Sequence, residues 1–394
     1  MFCFWFGNII WDVSVLIDFL RHRALWITIF CLAACLGQPA VLAGEGQESI
    51  RREEQVEELL QHMSPEEKIG QMFMVGFAGE NLDEGILSML QQRHIGGIIL
   101  YDRNMKSKAQ VKALTKALQD NAQQPVPLLI STDEEGGAVA RMKQALAPAP
   151  SEADIGATEN PAEAERWAVY MAQNLQELGI NLNFAPVADL GPEKRGRAFS
   201  ADPAKTAAFV EGAAKGYRQQ NMLFTLKHFP GLGKSRVNTH VDTYLVQAPV
   251  EQLFAEDMLP FRSLIAAQPE DSFFIMVNHL HYASLDAASP ASLSYKVVTG
   301  QLRERLGWQG VIITDDMEMG AISKYYSMEE RGIQAVNAGV DIVLMAHVPE
   351  HQKLVYDSML QALQDGRIAP ERVDDSVRRI LRAKLMHLMP RSDL

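Results

Sequence analysis

Acidic, basic and imidazole side chains recur at the ends of short apolar runs, where a fold can present them together. Asp133-Glu134-Glu135-Gly136-Gly137 follows one run, and Asp189 with a loop holding Arg195 and Arg197 follows the next. Lys227-His228, Asn278-His279, Asp315-Asp316 and His347 end or follow four more. Such a set suits chemistry on a polyol. A carboxylate can attack carbon or accept a hydrogen bond from a sugar hydroxyl, Lys and Arg donate, and imidazole moves protons near neutral pH. An Asp in this place also serves as a helix cap. Asp315 and Asp316 come as a pair, so one can cap while the other reacts, and position alone does not separate them.

The densest stretch is Lys227-His228-Phe229-Pro230-Gly231-Leu232-Gly233, which runs on to Asn238-Thr239-His240. A lone His is most often a satisfied structural residue, but a Gly-rich rim loop favours function for His240. Other chemistries fit less well. His279-Leu280-His281 lacks the helical spacing of common zinc motifs, so neither a metal nor another cofactor is expected. Gly231-Leu232-Gly233 lacks the third glycine of a dinucleotide fingerprint, and there is no nucleophile-elbow serine.

These groups need a frame that gathers strand ends. Apolar runs suited to buried parallel strands lie at Gln71–Phe77, Gly97–Tyr101, Pro127–Thr132, Ile180–Val187, Met222–Lys227, Ser272–Asn278, Gly310–Thr314 and Val340–Met345. Helical patterns fall between most of them, at Ser107–Gln119, Ala162–Leu178, Pro203–Gln220, Val250–Ala266, Lys296–Leu306 and Met328–Ala338. Glu350–Leu363 and Glu371–Leu388 follow the last strand. Ser64-Pro65-Glu66-Glu67 is a capped helix start, preceded by a charged helix from Ile50 to His62. Eight such strands alternating with amphipathic helices predict an α/β fold, a (β/α)8 barrel of the TIM type, with its chemistry at the carboxyl ends of the strands. An open doubly wound sheet is the alternative, and it would usually carry a Gly-rich loop after its first strand; Ala78-Gly79-Glu80 is not one.

The 394 residues, 47% hydrophobic and 22% charged, supply a large core without need of a metal or disulfide. A formal charge of −12 and the lack of a basic stripe exclude a phosphate-backbone binder, so no nucleic acid is expected as partner. Cys3, Cys31 and Cys35 are the three cysteines, which leaves the body free of thiols, as suits an oxidising compartment. Arg21-His22-Arg23 and the apolar run Ala24–Leu36 read as a secretory signal. Val41-Leu42-Ala43 is one cleavage site; Leu32-Ala33-Ala34-Cys35 is the other, and it resembles a bacterial lipobox in which Cys35 would carry a lipid anchor. The apolar stretch Met1 to Leu20, with Asp12 and Asp18, precedes the basic pair and suggests a start further downstream. An uncleaved anchor is the competing reading, though Ala24–Leu36 is short for a membrane span. The chain thus divides into a leader over 1–43, a linker and helix over 44–63, and a barrel over 64–390. The expected location is exported, either periplasmic or attached to the envelope.

Several blocks together carry a resemblance. They are Glu67-Lys68-Ile69-Gly70-Gln71-Met72-Phe73, Asp133-Glu134-Glu135-Gly136-Gly137, Asn183-Phe184-Ala185-Pro186-Val187-Ala188-Asp189, Arg197-Ala198-Phe199, Lys227-His228-Phe229-Pro230-Gly231 and Ile313-Thr314-Asp315-Asp316-Met317-Glu318-Met319. In this order and spacing the chain resembles glycoside hydrolase family 3, in particular its single-domain bacterial β-N-acetylglucosaminidases. The resemblance implies that Asp315 is the nucleophile of a retaining reaction through a covalent glycosyl-enzyme. It further implies that His240, on a mobile loop, replaces the usual second carboxylate as acid/base. Asp133, Arg141, Arg197, Lys227 and His228 match the positions that hold the sugar hydroxyls and acetamido group. The implied partner is a small carbohydrate, an N-acetylglucosaminide from peptidoglycan or chitin fragments.

Three departures stand out. Leu232 replaces the His of a Gly-His-Gly run, Ala138 stands where an Arg usually follows the paired Gly, and Asn238 replaces the Asp that usually partners the His. An Asp would hold the imidazole by charge; Asn238 can orient it only by hydrogen bonding. Asp242 is a substitute partner by proximity. Two other readings therefore stand beside the hexosaminidase: a non-catalytic or impaired sugar- or cell-wall-binding barrel, and a family 3 β-glucosidase. The glucosidases usually carry further carboxyl-terminal domains and lack the Lys-His-Phe-Pro-Gly loop.

Overall fold

The Ser64 side chain accepts a hydrogen bond from Glu67 N–H while the Glu67 carboxylate accepts one from Ser64 N–H, so a capping box opens the helix Pro65–Gln71 and feeds the chain into the first strand. The computed structural model describes residues 50–389 apart from 145, 192–195, 236 and 269–270. The leader, its two cleavage sites, Cys35 and Arg195 lie outside the described residues. The chain divides into two units, 1–54 and 55–394. In the first, the described residues 50–54 are helical; in the second, 55–62 are helical and lead to Ser64.

Eight parallel strands form one sheet: β1 (Phe73–Val75), β2 (Gly97–Leu100), β3 (Leu129–Thr132), β4 (Leu182–Asn183), β5 (Leu223–Phe229), β6 (Phe273–Val277), β7 (Ile312–Thr314) and β8 (Val343–Met345). Each pairs with the next, and β1 pairs with β8 in the register Phe73 to Val343. A bridge between Ile313 and Ile342 closes the ring, and Leu344 N–H donates to the Thr314 hydroxyl at 3.0 Å. The predicted (β/α)8 barrel is therefore the fold. Every strand residue is buried, as expected where helices cover the outside and side chains fill the inside. An aromatic run ties the two layers together: Tyr217 stacks on Phe224, Phe224 on Phe273, and Phe273 packs against Trp308, with ring centroids 5.3, 5.4 and 4.3 Å apart.

Three elements differ from their sequence reading. The run Ile180–Val187 is paired as a strand only at Leu182–Asn183, because Pro186 has no N–H to give to a ladder. The helix expected over Val250–Ala266 breaks into Val250–Ala255 and Leu259–Ala267. Pro260 starts the second piece, and the break turns Asp257 inward against the Gly-rich loop after β5. Gly231 there has φ +128°, and a Cβ on it would lie 2.8 Å from the Cβ of Asp257. Lys296–Arg305 is a π-helix. The helix Glu84–Gln91, capped by Asp83, had no expectation at all.

At the amino ends of the strands the barrel is pinned by charge. Asp341, fully buried just before β8, accepts from Arg303 at 2.5 Å, Arg372 at 3.0 Å, Arg379 at 3.2 Å, Ser376 at 2.8 Å and Ile312 N–H at 2.9 Å. Burial alone would raise its carboxyl, but the three guanidiniums hold it down to about 2. The last helix, Pro370–Leu388, buries Val373, Val377, Ile380, Leu381 and Leu385, the face its periodicity predicted.

Candidate active site

The carboxyl ends of β3, β4 and β5 share one buried network. The Lys227 ammonium, 1% exposed, lies 2.7 Å from Asp133 and 2.6 Å from Glu135. Glu135 also takes a two-pronged bond from Arg197, at 2.7 and 3.0 Å. Burial pushes both carboxyls up, but Lys227 with Arg141 holds Asp133 low, and Lys227 with Arg197 holds Glu135 low. Burial also works against a charged Lys227, and the two carboxylates outweigh it and raise its pKa. The network is thus kept charged and fixed, ready to donate and accept without rearranging.

His228 extends it. Its Nδ1 lies 2.6 Å from Asp189 and its Nε2 lies 3.5 Å from Arg197 Nη2. Arginine can only donate, so Nε2 accepts and Nδ1–H donates to Asp189. Asp189 also accepts from His228 N–H at 3.2 Å and Leu232 N–H at 2.7 Å. The Leu232 departure is therefore absorbed by backbone: its N–H serves Asp189 while its side chain packs against the core. Arg141 closes the group. Its Nη2 is 3.5 Å from Asp133, its guanidinium lies over the Tyr101 ring, and its buried Nε–H has no partner among the described residues.

Asp315 and Asp316, equal in sequence, are unequal in structure. Asp316 accepts from Glu318 N–H and Ala346 N–H, both at 3.2 Å, and pairs with His347 at 3.3 Å, so it ties β7 to the loop after β8. Among the described residues the Asp315 carboxylate accepts a single bond, from Asp316 N–H at 2.9 Å. The Asp316 carboxylate is tied into the following turn and to the loop after β8, and Asp315 has capacity to spare. Buried His279 fixes the pair from behind: Nε2 donates to Asp316 C=O at 3.0 Å and Nδ1 accepts from Ser292 at 2.7 Å. Burial lowers its pKa against the pull of Asp315 and Asp316, so it stays neutral at pH 7.

His240 is exposed, and among the described residues its ring makes no hydrogen bond. Asn238 does not reach that ring. Its Oδ1 accepts His240 N–H at 3.1 Å, shaping the turn instead. Nor does Asp242 serve it: Tyr325 OH at 2.5 Å and Lys324 at 3.0 Å take that carboxylate and hold its pKa down to about 2.

Asp133, Arg141, Arg197, Lys227 and His228 thus come together, while Asp315 stands at the end of β7 and His240 on the loop after β5. Glu135 and Asp189 complete the network, although neither was assigned a sugar-contact role in sequence; both stood at strand ends beside residues that were. Glu134, between the two charged neighbours, faces inward, where burial raises it to about 7 and its carboxylate accepts from Arg141 N–H and Met142 N–H.

Residues 64–383 match the family described as Glycosyl hydrolase family 3 N terminal domain. The chain belongs to glycosyl hydrolase family 3. It is 37% identical over 302 residues to Beta-hexosaminidase of Stenotrophomonas maltophilia (strain K279a), covering 74% of this chain and 87% of that protein. Its fold superposes with TM-score 0.80 on a family 3 beta-N-acetylglucosaminidase from Paenibacillus sp. str. FPU-7, at 35% identity; the match covers 83% of this chain and 63%, under two thirds, of that one. Beta-N-acetylhexosaminidase from Beutenbergia cavernae matches at TM-score 0.72 and 30% identity, over 82% of this chain and 98% of its own. As in these family members, the barrel here is a glycoside hydrolase scaffold.

Proposed function

We propose that this family 3 chain is a retaining exo-β-N-acetylhexosaminidase that releases N-acetylglucosamine from the non-reducing end of peptidoglycan or chitin fragments. The observation that carries the reading is Asp315, a carboxylate left with one backbone hydrogen bond beside the fully committed Asp316. Asp133, Arg141, Arg197, Lys227 and His228 bind the sugar. The Asp315 oxygen attacks the anomeric carbon as the glycosidic C–O bond breaks, and His240 gives its proton to the leaving oxygen. Water then attacks the same carbon, His240 takes its proton, and Asp315 leaves, so configuration is retained. The names of the relatives support the N-acetyl sugar. The leader supports an exported enzyme, periplasmic or lipid-anchored through Cys35, and the intact mass of the mature chain separates the two.

Asn238 favours a second reading, a binding barrel with an impaired proton carrier, because it contributes nothing to the imidazole here. Hydrolysis of an activated aryl β-N-acetylglucosaminide beside the matching glucoside, by wild type and Asp315→Ala, separates them. Release from the N-acetyl substrate alone, lost in the variant, is the expected result. A folded protein that releases neither aglycone is the binding barrel, and one that prefers the glucoside is a glucosidase.

A further inference from the structure

The loop that carries His240 does not simply follow β5. It crosses the top of β6 and is bonded to what lies beyond. On the β6 side Leu245–Val246 pairs with His281–Tyr282, and Thr243 OH donates to His279 C=O at 3.2 Å. On the β7 side the contacts are of another kind. Gly320 N–H donates to His240 C=O and Ala321 N–H donates to Thr239 C=O, both at 3.1 Å. Gly320 and Ala321 open the short helix Gly320–Ser323, five residues beyond Asp315. Two residues after that helix, Tyr325 OH reaches the Asp242 carboxylate at 2.5 Å, and Lys324 reaches it at 3.0 Å.

Gly320 makes the approach possible. A Cβ there would sit 2.4 Å from Val241 C=O oxygen and 2.7 Å from that of His240, inside any allowed contact, so the loop backbone would have to move away. Tyr325 is 56% exposed and Val241 59% exposed, so neither is placed to fill the core. The visible work of Tyr325 is its bond to Asp242. A surface ion pair such as Asp242–Lys324 adds little to global stability, so its consequence is local: it fixes where the loop lies.

We propose that Gly320, Asp242, Lys324 and Tyr325 form a latch that registers the His240 loop on the segment following the nucleophile strand. The inference rests on the roles proposed above for Asp315 and His240. With Asn238 spent on a backbone N–H, no side chain among the described residues orients the imidazole. Its position is inherited from the loop backbone, and the loop backbone is set by the latch. These four are positioning residues, and they act on proton transfer rather than on the attack by Asp315.

The test uses the full chain and two β-N-acetylglucosaminides, one with an activated aryl leaving group and one with a simple alkyl leaving group that needs protonation. kcat/KM reports the steps up to cleavage, so it isolates acid assistance. Gly320→Ala is expected to lower kcat/KM on the alkyl glycoside about 100-fold while changing that on the aryl glycoside by less than about threefold, the profile expected of His240→Ala. Tyr325→Phe, which adds no bulk, is expected to show the same split at about tenfold. In it the Gly320 and Ala321 amides should exchange with deuterium faster while the melting temperature holds. Should Gly320→Ala fail to fold, Tyr325→Phe carries the test. An active wild type whose variants lose both substrates alike, or neither, overturns the latch alone. A wild type that releases neither aglycone overturns the functional reading and the latch with it.

Discussion

Two aspartates flanking neighbouring strands of the barrel, Asp341 before β8 at the lower end and Asp315 after β7 at the upper end, carry the same side chain into opposite surroundings. Asp341 has both oxygens engaged, by three arginines, a serine and a backbone N–H. Asp315 has one bond to a backbone N–H and no cation paired with it among the described residues. A carboxylate so fully satisfied is locked in place and has no capacity to react. One held by a single neighbour keeps a lone pair for an incoming carbon. On the proposed function, the number of partners, rather than the residue type, separates the structural acid from the nucleophile. Asp315 and Asp316 repeat the contrast one residue apart.

The comparison can be broken by exchange of roles. Asp315→Asn should remove hydrolysis of an activated N-acetylglucosaminide by on the order of 1000-fold or more, with the melting temperature little changed, since almost nothing is bonded to the carboxylate. Asp341→Asn should do the reverse. It leaves three buried or half-buried guanidiniums facing a neutral amide, a loss of about 3–5 kcal/mol, while turnover per folded molecule stays near wild type. Denaturant melts beside active-site titration check both. Equal losses of stability in the two variants would end the distinction.

A smaller effect sharpens it at the lower end. Lys384 is fully buried, donating to Gln71 Oε1 at 2.7 Å and Gly96 C=O at 2.9 Å, and burial brings its pKa down to about 7. The unfolded chain holds a proton on this amine up to its ordinary 10.5, and the folded chain loses it above about 7. In that window the unfolded state binds more protons, so stability rises with pH, by about 2 kcal/mol between pH 7 and 9 from this group. Stability curves of wild type and Lys384→Met against pH should diverge by that much, the variant lacking the rise. Parallel curves would mean that Lys384 stays charged in the fold.

What the sequence made legible follows the same division. Strand cores such as Gly97–Leu100 and Leu129–Thr132 were readable because burial on both faces demands unbroken apolar runs, and the last helix because its buried face repeats at the helical period. The break at Glu256 was not, because it answers to a contact with Gly231 that lies far along the chain. At the site, the residue types at the strand ends were plain, and so was the choice facing Asp315 and Asp316. The answer was not, since it depends on Ala346 and His347 arriving from the next strand. Likewise the resemblance made Asn238 a partner for His240 and proximity made Asp242 one, and only the turn geometry and Tyr325 show where their oxygens go.

The central claim is that Asp315 bonds covalently to the sugar. Incubation of the full chain with a fluorinated N-acetylglucosaminyl donor, activated at its leaving group and slowed in the second step, followed by peptide mass mapping, tests it directly. One added glycosyl mass is expected, on the peptide containing Asp315 and on that residue. A glycosyl adduct on another side chain, or turnover of the donor by an Asp315→Ala enzyme at the wild-type rate, would contradict it.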